Sequence, residues 1–422
     1  MKEERDGMKE TEIGLIPEDW EVVKIKDVSE KLKAGGTPKR SVKEYWNGDI
    51  PFALIEDLTS CGLYLKKTKE TITQDGLNNS NAWIVPPNSL LLSMYATIGE
   101  TAINKIPVAT NQAILAIIPN ERLNNIYGAY LLKFNSQVLQ RQNIQSTQKN
   151  INKGIVENFK IPLPPLDEQK KIAYVLSTIQ EAKEKTEQVI EATKALKKSL
   201  MKHLFTYGSV PLNEVNKVKL KETEIGVLRK EWKLVELGEV ASKRSEKVDP
   251  KNEKAIYIGL EHIIPGKIKL EKFGYSKEVK STKLKFYNGD ILYAKLRPYL
   301  DKGALAEFKG ICSTDIIVIN PKRNIINPKY LAYLVHSSFF LEYATRSMTG
   351  VNHPRTNWSS LKKFKIPFPS LEEQKKIANI LSTIDKKIEA EENKKKALEE
   401  LFKSMLHNLM TGKIRVKDLE VS

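Results

Sequence analysis

The segment LDKGALAEFKG (300–310) places Asp301, Glu307 and Lys309 in an order suited to chemistry. Two carboxylates and a lysine can hold a divalent ion against a phosphodiester, so metal-dependent DNA cleavage is the first activity to weigh. With 29% of residues charged, such an order arises readily by chance. No other catalytic pattern accompanies it. The chain has no GxxxxGK[ST] phosphate loop, no GxGxxG turn after a strand and no HExxH helix. Its histidines (His203, His262, His336, His353 and His407) lack ligand spacing. Cys61 and Cys312 stand apart from each other without the CxxC spacing of a zinc or redox site, which predicts a buried structural role. A methyltransferase that flips its target base would carry an [NDS]PP[YF] motif; DIPF (49–52) lacks its first proline.

Side chains suited to reading bases are plentiful. Arginine pairs guanine through two hydrogen bonds, and Asn or Gln pairs adenine in the same way. Two polar stretches concentrate them: SQVLQRQNIQSTQKNINKG (136–154) and TRSMTGVNHPRTNWSS (345–360). Both read as loops, where recognition residues tend to sit on rigid scaffolds; a solvated linker is the other reading of their composition. The candidate DNA contacts in the first half are Thr37, Lys39, Arg40, Tyr95, Asn111, Gln112, Gln145, Gln148, Lys149 and Asn150. Those in the second half are Lys243, Arg244, Tyr293, Lys295, Arg297, Tyr299, Asn352, His353, Arg355 and Asn357. The charge agrees with such a role. The 422 residues carry a formal net charge of +17, which favours a polyanionic partner through counterion release. Residues 20–160 carry net +5 and residues 232–365 net +12. No apolar run approaches the ~18 residues of a membrane span, and the start, MKEERDGMKE, is polar. These features predict a cytoplasmic protein without signal peptide or membrane helix.

The elements that would position these residues occur twice. IPLPPLDEQKKIA (161–173) returns as IPFPSLEEQKKIA (366–378), and 14 of 19 positions are identical between 161–179 and 366–384. ETEIGLIPEDW (10–20) returns as ETEIGVLRKEW (222–232). The repeat unit is therefore a globular region followed by a helix of about 40 residues, roughly 60 Å long. Prolines block an earlier helical start, and acidic residues follow where the helix dipole favours them. A seam of 3.5-residue period is expected through Ile172, Val175, Ile179, Ala182, Thr186, Val189, Thr193, Leu196 and Leu200 in the first helix. In the second it runs through Ile377, Leu381, Ile384, Ile388, Leu398, Phe402 and Met405, interrupted by Glu391 and Lys395. Runs such as NSLLLSMYATIG, QAILAIIP, DILYAKLRPYL and TDIIVINP predict β cores within mixed α/β regions. The segments 126–134 and 328–343 read as apolar helices that pack on them.

The units PLPPLDEQKKIA and PFPSLEEQKKIA follow regions containing GGTPKR…EYWNGDIPF or NGDILYAKLRP. In this they resemble the specificity subunit of type I restriction–modification systems. The likeness runs along essentially the whole chain, although SKRSEKVDP stands where the second half would repeat GGTP. The resemblance implies an α+β chain with a pseudo-two-fold internal repeat, in which two mixed α/β target recognition domains are separated by two long helices forming an antiparallel coiled coil. The expected segments are 1–165 and 209–370 for the recognition domains, 166–208 and 371–413 for the spacer helices, and 414–422 for a tail. It further implies a non-catalytic subunit that binds double-stranded DNA, each domain reading half of a split site and the helices setting the interval. Two methylating (modification) subunits and restriction subunits would be its partners. S-adenosylmethionine, ATP and Mg would belong to those partners, leaving this chain without a cofactor or metal of its own. A freestanding metal-dependent DNA nuclease using Asp301, Glu307 and Lys309 is the alternative.

Overall fold

A computed structural model describes residues 7–142, 150–252 and 254–420. Two long helices, Leu166–Tyr207 and Leu371–Met410, follow the two globular regions. The contacts do not divide the chain into consecutive segments. They define two units, Met1–Thr186 with Lys394–Ser422, and Glu187–Asn393, so each unit holds one globular module and half of each helix.

The two modules are built alike around a sheet covered on both faces. In the first, the strand order is Ser29–Ala34, Ile114–Pro119, Leu90–Ser93, Thr101–Asn104, Tyr64–Leu65. All neighbours are antiparallel except the last pair. Side chains alternate across the sheet, as the two-residue period of a strand requires. Leu90 and Leu92 join the core beneath the helix Asn125–Phe134, and Leu91 joins a second core on the far face. The second module repeats this arrangement with the strands Ala241–Arg244, Ile316–Pro321, Ile291–Ala294 and Gly303–Leu305. Ile291 and Tyr293 point to one core and Leu292 to the other. Burial on both faces explains why these strands read as unbroken apolar runs rather than alternating ones. It also corrects one candidate DNA contact: Tyr293 is 1% exposed, with its ring edge-on to Phe340 at 5.3 Å, and is a core residue. The apolar segment 328–343 forms two helices, Pro328–Leu334 and Ser338–Arg346.

The duplicated motif has a job at each of its positions. The start of each motif is a strand: Lys160–Leu163 pairs with Glu21–Lys24, and Lys365–Phe368 with Lys233–Glu236, closing the end of each module on a strand near its beginning. A buried tyrosine hydroxyl donates to the carbonyl of the first proline after the isoleucine, Tyr127 to Pro162 (3.0 Å) and Tyr330 to Pro367 (2.8 Å). The motif glutamines are buried. Gln169 accepts the Asn124 N–H (2.9 Å) and Gln374 the Asn327 N–H (2.8 Å). The preceding glutamates tie the start of one long helix to the residues just past the end of the other. Glu168 binds Arg415, and Glu373 accepts from the Ser209 N–H and hydroxyl.

Within each unit the helices therefore run antiparallel. In the first, Ile172, Ala173 and Leu176 share a core with Leu409 and Met410, and Lys183 lies over the Phe402 ring. In the second, Lys194 meets Glu392 and Lys197 meets Asp385 (2.6 Å). Along the second helix, Ile377, Leu381 and Ile388 are buried, and Ile384, Leu398, Phe402 and Met405 are half-buried. The expected seam of the first helix is corrected in its middle. Val189 and Leu196 are 39% and 53% exposed; the expected Thr186 and Thr193 are buried, and Ile190 rather than Val189 fills the step between them. Val175 is half-buried, while Ile172, Ile179 and Leu200 keep their places. Apolar residues at both 189 and 190 could fill the step between the two threonines, whose own hydrogen bonds are met locally. The Thr186 and Thr193 hydroxyls donate to the carbonyls of Ala182 and Val189. Accordingly Ile190→Asn should cost about 3 kcal/mol by burying an amide in place of an apolar side chain. Val189→Asn should stay within about 0.5 kcal/mol. Urea unfolding of the two variants shows which residue fills the step.

Candidate nucleic-acid interface

Each module carries a braced pair of loops at the same place in its sheet. The strand Leu90–Ser93 leads into Met94–Thr97, where Ile151 N–H donates to the Met94 carbonyl (3.0 Å) and Tyr95 bridges Asn150. The strand Ile291–Ala294 leads into 295–300, where Thr356 N–H donates to the Lys295 carbonyl (2.9 Å) and Leu296 bridges Arg355. The next residue of each loop is left-handed without being glycine: Ala96 has φ +53° and Arg297 φ +52°. A β-carbon in this conformation costs roughly 1–2 kcal/mol, so the surrounding structure must hold it there. In the second module the bracing is explicit. Arg297 N–H donates to the Pro354 carbonyl (2.9 Å), and the loop's far end, Asp301, accepts from the buried His336 ring (2.6 Å).

Side-chain partners sort the candidates into bound and available groups. Asp315 receives both Lys295 (3.5 Å) and Arg355 (3.2 Å), which brings the two loops of the second module together. Beside them, Thr349 and Arg355 exchange two backbone hydrogen bonds of 3.0 Å. The turn between them presents Asn352 and His353 as exposed residues and Val351 at 96% exposure. Tyr299 is 52% exposed and Tyr95 40%. Lys39, Lys243 and Gln112 are exposed, and Thr37 donates to Gln112 (2.6 Å), joining two predicted residues distant in sequence.

Other candidates are committed to the fold. Arg244 grips the fully buried Asp290 through two hydrogen bonds (2.9 and 3.2 Å) and lies over Tyr287, so it is a structural ion pair rather than a free guanidinium. Arg40 stacks on Trp46 (3.8 Å) and pairs with Glu70. Asn111 accepts the Ala113 N–H within a turn, and Asn357 caps the short helix Trp358–Leu361 by accepting the Ser360 N–H. Asn152, which precedes the first module's corresponding helix, caps it in the same way. Gln145, Gln148 and Lys149 lie outside the described residues. Sequence reasoning passed over Ala96, whose signal is conformational and invisible in residue type.

The nuclease alternative is not supported by this geometry. The Asp301 carboxylate is engaged by His336, and among the described residues no cluster of His, Cys, Asp or Glu could hold a metal ion. Among the described residues no helix is long and apolar enough to cross a membrane.

Two modules of one plan, each presenting exposed polar groups on a braced loop pair, have the arrangement of a duplicated recognition protein. Comparison with known proteins gives the same class. The chain belongs to the type I restriction–modification DNA specificity family, whose domain model matches residues 17–193 and 229–400. It is 31% identical over 417 residues to the type I restriction enzyme MjaVIII specificity subunit of Methanocaldococcus jannaschii, covering 96% of this chain and 95% of that one. It is 25% identical over 388 residues to the EcoDI specificity subunit of Escherichia coli, covering 86% and 81%. Its fold is similar to the crystal structure of the type I S subunit from M. genitalium, with a TM-score of 0.59 at 17% identity over 92% of this chain and 96% of that one. As a specificity subunit it is a non-catalytic DNA-recognition component of a restriction–modification complex.

Proposed function

We propose that each module reads one half of a bipartite double-stranded DNA site, with the long helices setting the unread interval between the halves. The observation that carries this is the duplication itself: the same braced loop pair in both modules, with different side chains on it. Different side chains on one scaffold would read different bases, which makes the site asymmetric. The excess positive charge of both modules supplies the sequence-independent phosphate contacts. In this reading two modification subunits and, for cleavage, restriction subunits assemble on the chain in the cytoplasm. They bring S-adenosylmethionine, ATP and Mg, and this chain supplies none of them.

Purified chain should bind duplex DNA with strong salt dependence. Affinity is expected to fall on the order of 10³-fold between 50 and 200 mM salt if about six phosphates are contacted. Titration by fluorescence anisotropy measures this. Adding modification subunits and S-adenosylmethionine should methylate sites sharing one two-part sequence. Methylated sites with no common sequence, or DNA left unmodified, would sink the reading.

A further inference from the structure

The left-handed position shared by the two loops has a consequence for which bases are read. Glycine is the relaxed choice at φ near +50°, and neither module uses it. Both instead place a β-carbon there, on an exposed residue, at the same point of a loop braced by the same two backbone contacts. In the second module that residue is Arg297. Among the described residues of this unit, Arg229, Arg244, Arg323, Arg346 and Arg355 each bind an internal oxygen. Arg297 alone has no hydrogen-bond or ion-pair partner there. A rigid backbone under a free guanidinium is the arrangement a bidentate contact requires, because little freedom remains to be lost on binding. In the first module the residue is Ala96, flanked by the exposed Tyr95 and Thr97. A methyl group on a fixed backbone has one complement on a base edge, the thymine methyl.

Resting on the two-module reading above, we propose that this position reads a base in each half-site: Arg297 pairs a guanine in one half, and Ala96 packs on a thymine methyl in the other. Glycine variants test this cleanly, because glycine relieves the left-handed backbone and cannot disrupt the fold through strain. The full chain carrying Arg297→Gly, Arg297→Lys or Ala96→Gly is assembled with its modification subunits. A DNA library is then methylated and the modified sites are sequenced, with thermal midpoints confirming native folding.

Arg297→Gly should lose roughly 10–100-fold discrimination at one G·C pair of one half-site and leave the other half unchanged. Arg297→Lys should lose most of the same discrimination, since it keeps the charge but not the planar fork. Ala96→Gly should lose about fourfold preference at one T·A pair of the other half, the value of one methyl group. Uracil in place of that thymine should weaken the wild type and not the variant. A uniform loss of binding with every base preference intact, or retention by Arg297→Lys, would mean a phosphate contact and overturn the assignment. A folded glycine variant with wild-type discrimination at every pair overturns it too, while the two-module reading stands. A wild-type complex whose methylated sites share no two-part sequence overturns that reading and the assignment with it.

Discussion

Arg415→Ala should lower the stability of the first unit by about 3 kcal/mol, moving its urea midpoint down by roughly 1–2 M. The side chain belongs to the short stretch after the second long helix, which sequence alone described as a tail. Its guanidinium makes two parallel hydrogen bonds of 2.7 Å to Glu168 and a third of 2.9 Å to Asp19, and lies over the Trp20 ring. Glu168 is 3% exposed, and its remaining hydrogen bond comes from the Trp20 indole at 3.0 Å. Removing the arginine leaves a buried carboxylate with one neutral donor, the situation in which breaking an ion pair costs most. Because Arg415 itself is partly exposed, water can reach part of the gap, which holds the expected loss to the lower end of the range. Arg415→Lys should fall between wild type and alanine, since an ammonium keeps the charge but cannot form the fork.

The same site sets an acid-side dependence. The hydrogen bond from Arg415, aided by Lys417, holds the Asp19 carboxyl well below the usual carboxylate range, against the opposing effect of its partial burial. A depressed folded-state pKa contributes stability that is fully present above about pH 4 and is lost as pH falls toward the folded value. Unfolding midpoints measured from pH 6 to pH 3 should therefore fall more steeply for wild type than for Arg415→Ala, from which this contribution has been removed. Equal slopes would mean that Asp19 gains nothing from the arginine.

What could be read beforehand, and what could not, follows from where the information lies. The repeat, the two long helices and the β cores were legible, because a 3.5-residue period and unbroken apolar strands are written in residue type. The seam of the first helix was legible except in its middle. Thr186 and Thr193 fall on the expected seam and satisfy their hydroxyls within their own turns, but adjacent apolar residues at 189 and 190 both fit the step between them, and the packing buries Ile190. Tyr293 misled because a tyrosine at the end of a buried strand looks the same on paper as one at its exposed lip. Arg244 and Arg297 are the sharper case. Both are arginines of the basic module, yet one is held by Asp290, 46 residues away in sequence, and the other is free. Only the fold separates a guanidinium that stabilises the module from one available to DNA. The repeated IPxP…EQ motif was recognised as a boundary, but its roles needed partners that the sequence does not mark.

Gln374→Ala is the severest test of that motif and should cost the second unit about 3 kcal/mol. The side chain is fully buried at the start of the second long helix. Its carbonyl oxygen accepts the Asn327 N–H (2.8 Å), and its amide donates to the carbonyls of Pro369 (3.0 Å) and Ile325 (3.3 Å). Asn327 in turn caps the helix Pro328–Leu334, so one amide locks the long helix to the module's inner helix. Truncation leaves buried backbone groups on both sides without their partner, each worth about 1–3 kcal/mol when wholly unsatisfied. Gln169 makes the corresponding contacts with Asn124, Arg122 and Pro164 in the first unit, so Gln169→Ala should cost a similar amount there. Glutamate at position 374 discriminates the mechanism. Near a helix N-terminus a surface residue would gain from a negative charge, and Gln374→Glu would then exceed alanine in stability. Buried against two carbonyl oxygens, a carboxylate loses both donors and meets two acceptors. Chemical denaturation should therefore rank Gln374→Glu no higher than Gln374→Ala; the reverse order would show that the motif glutamine serves the helix end rather than the joint between helix and module.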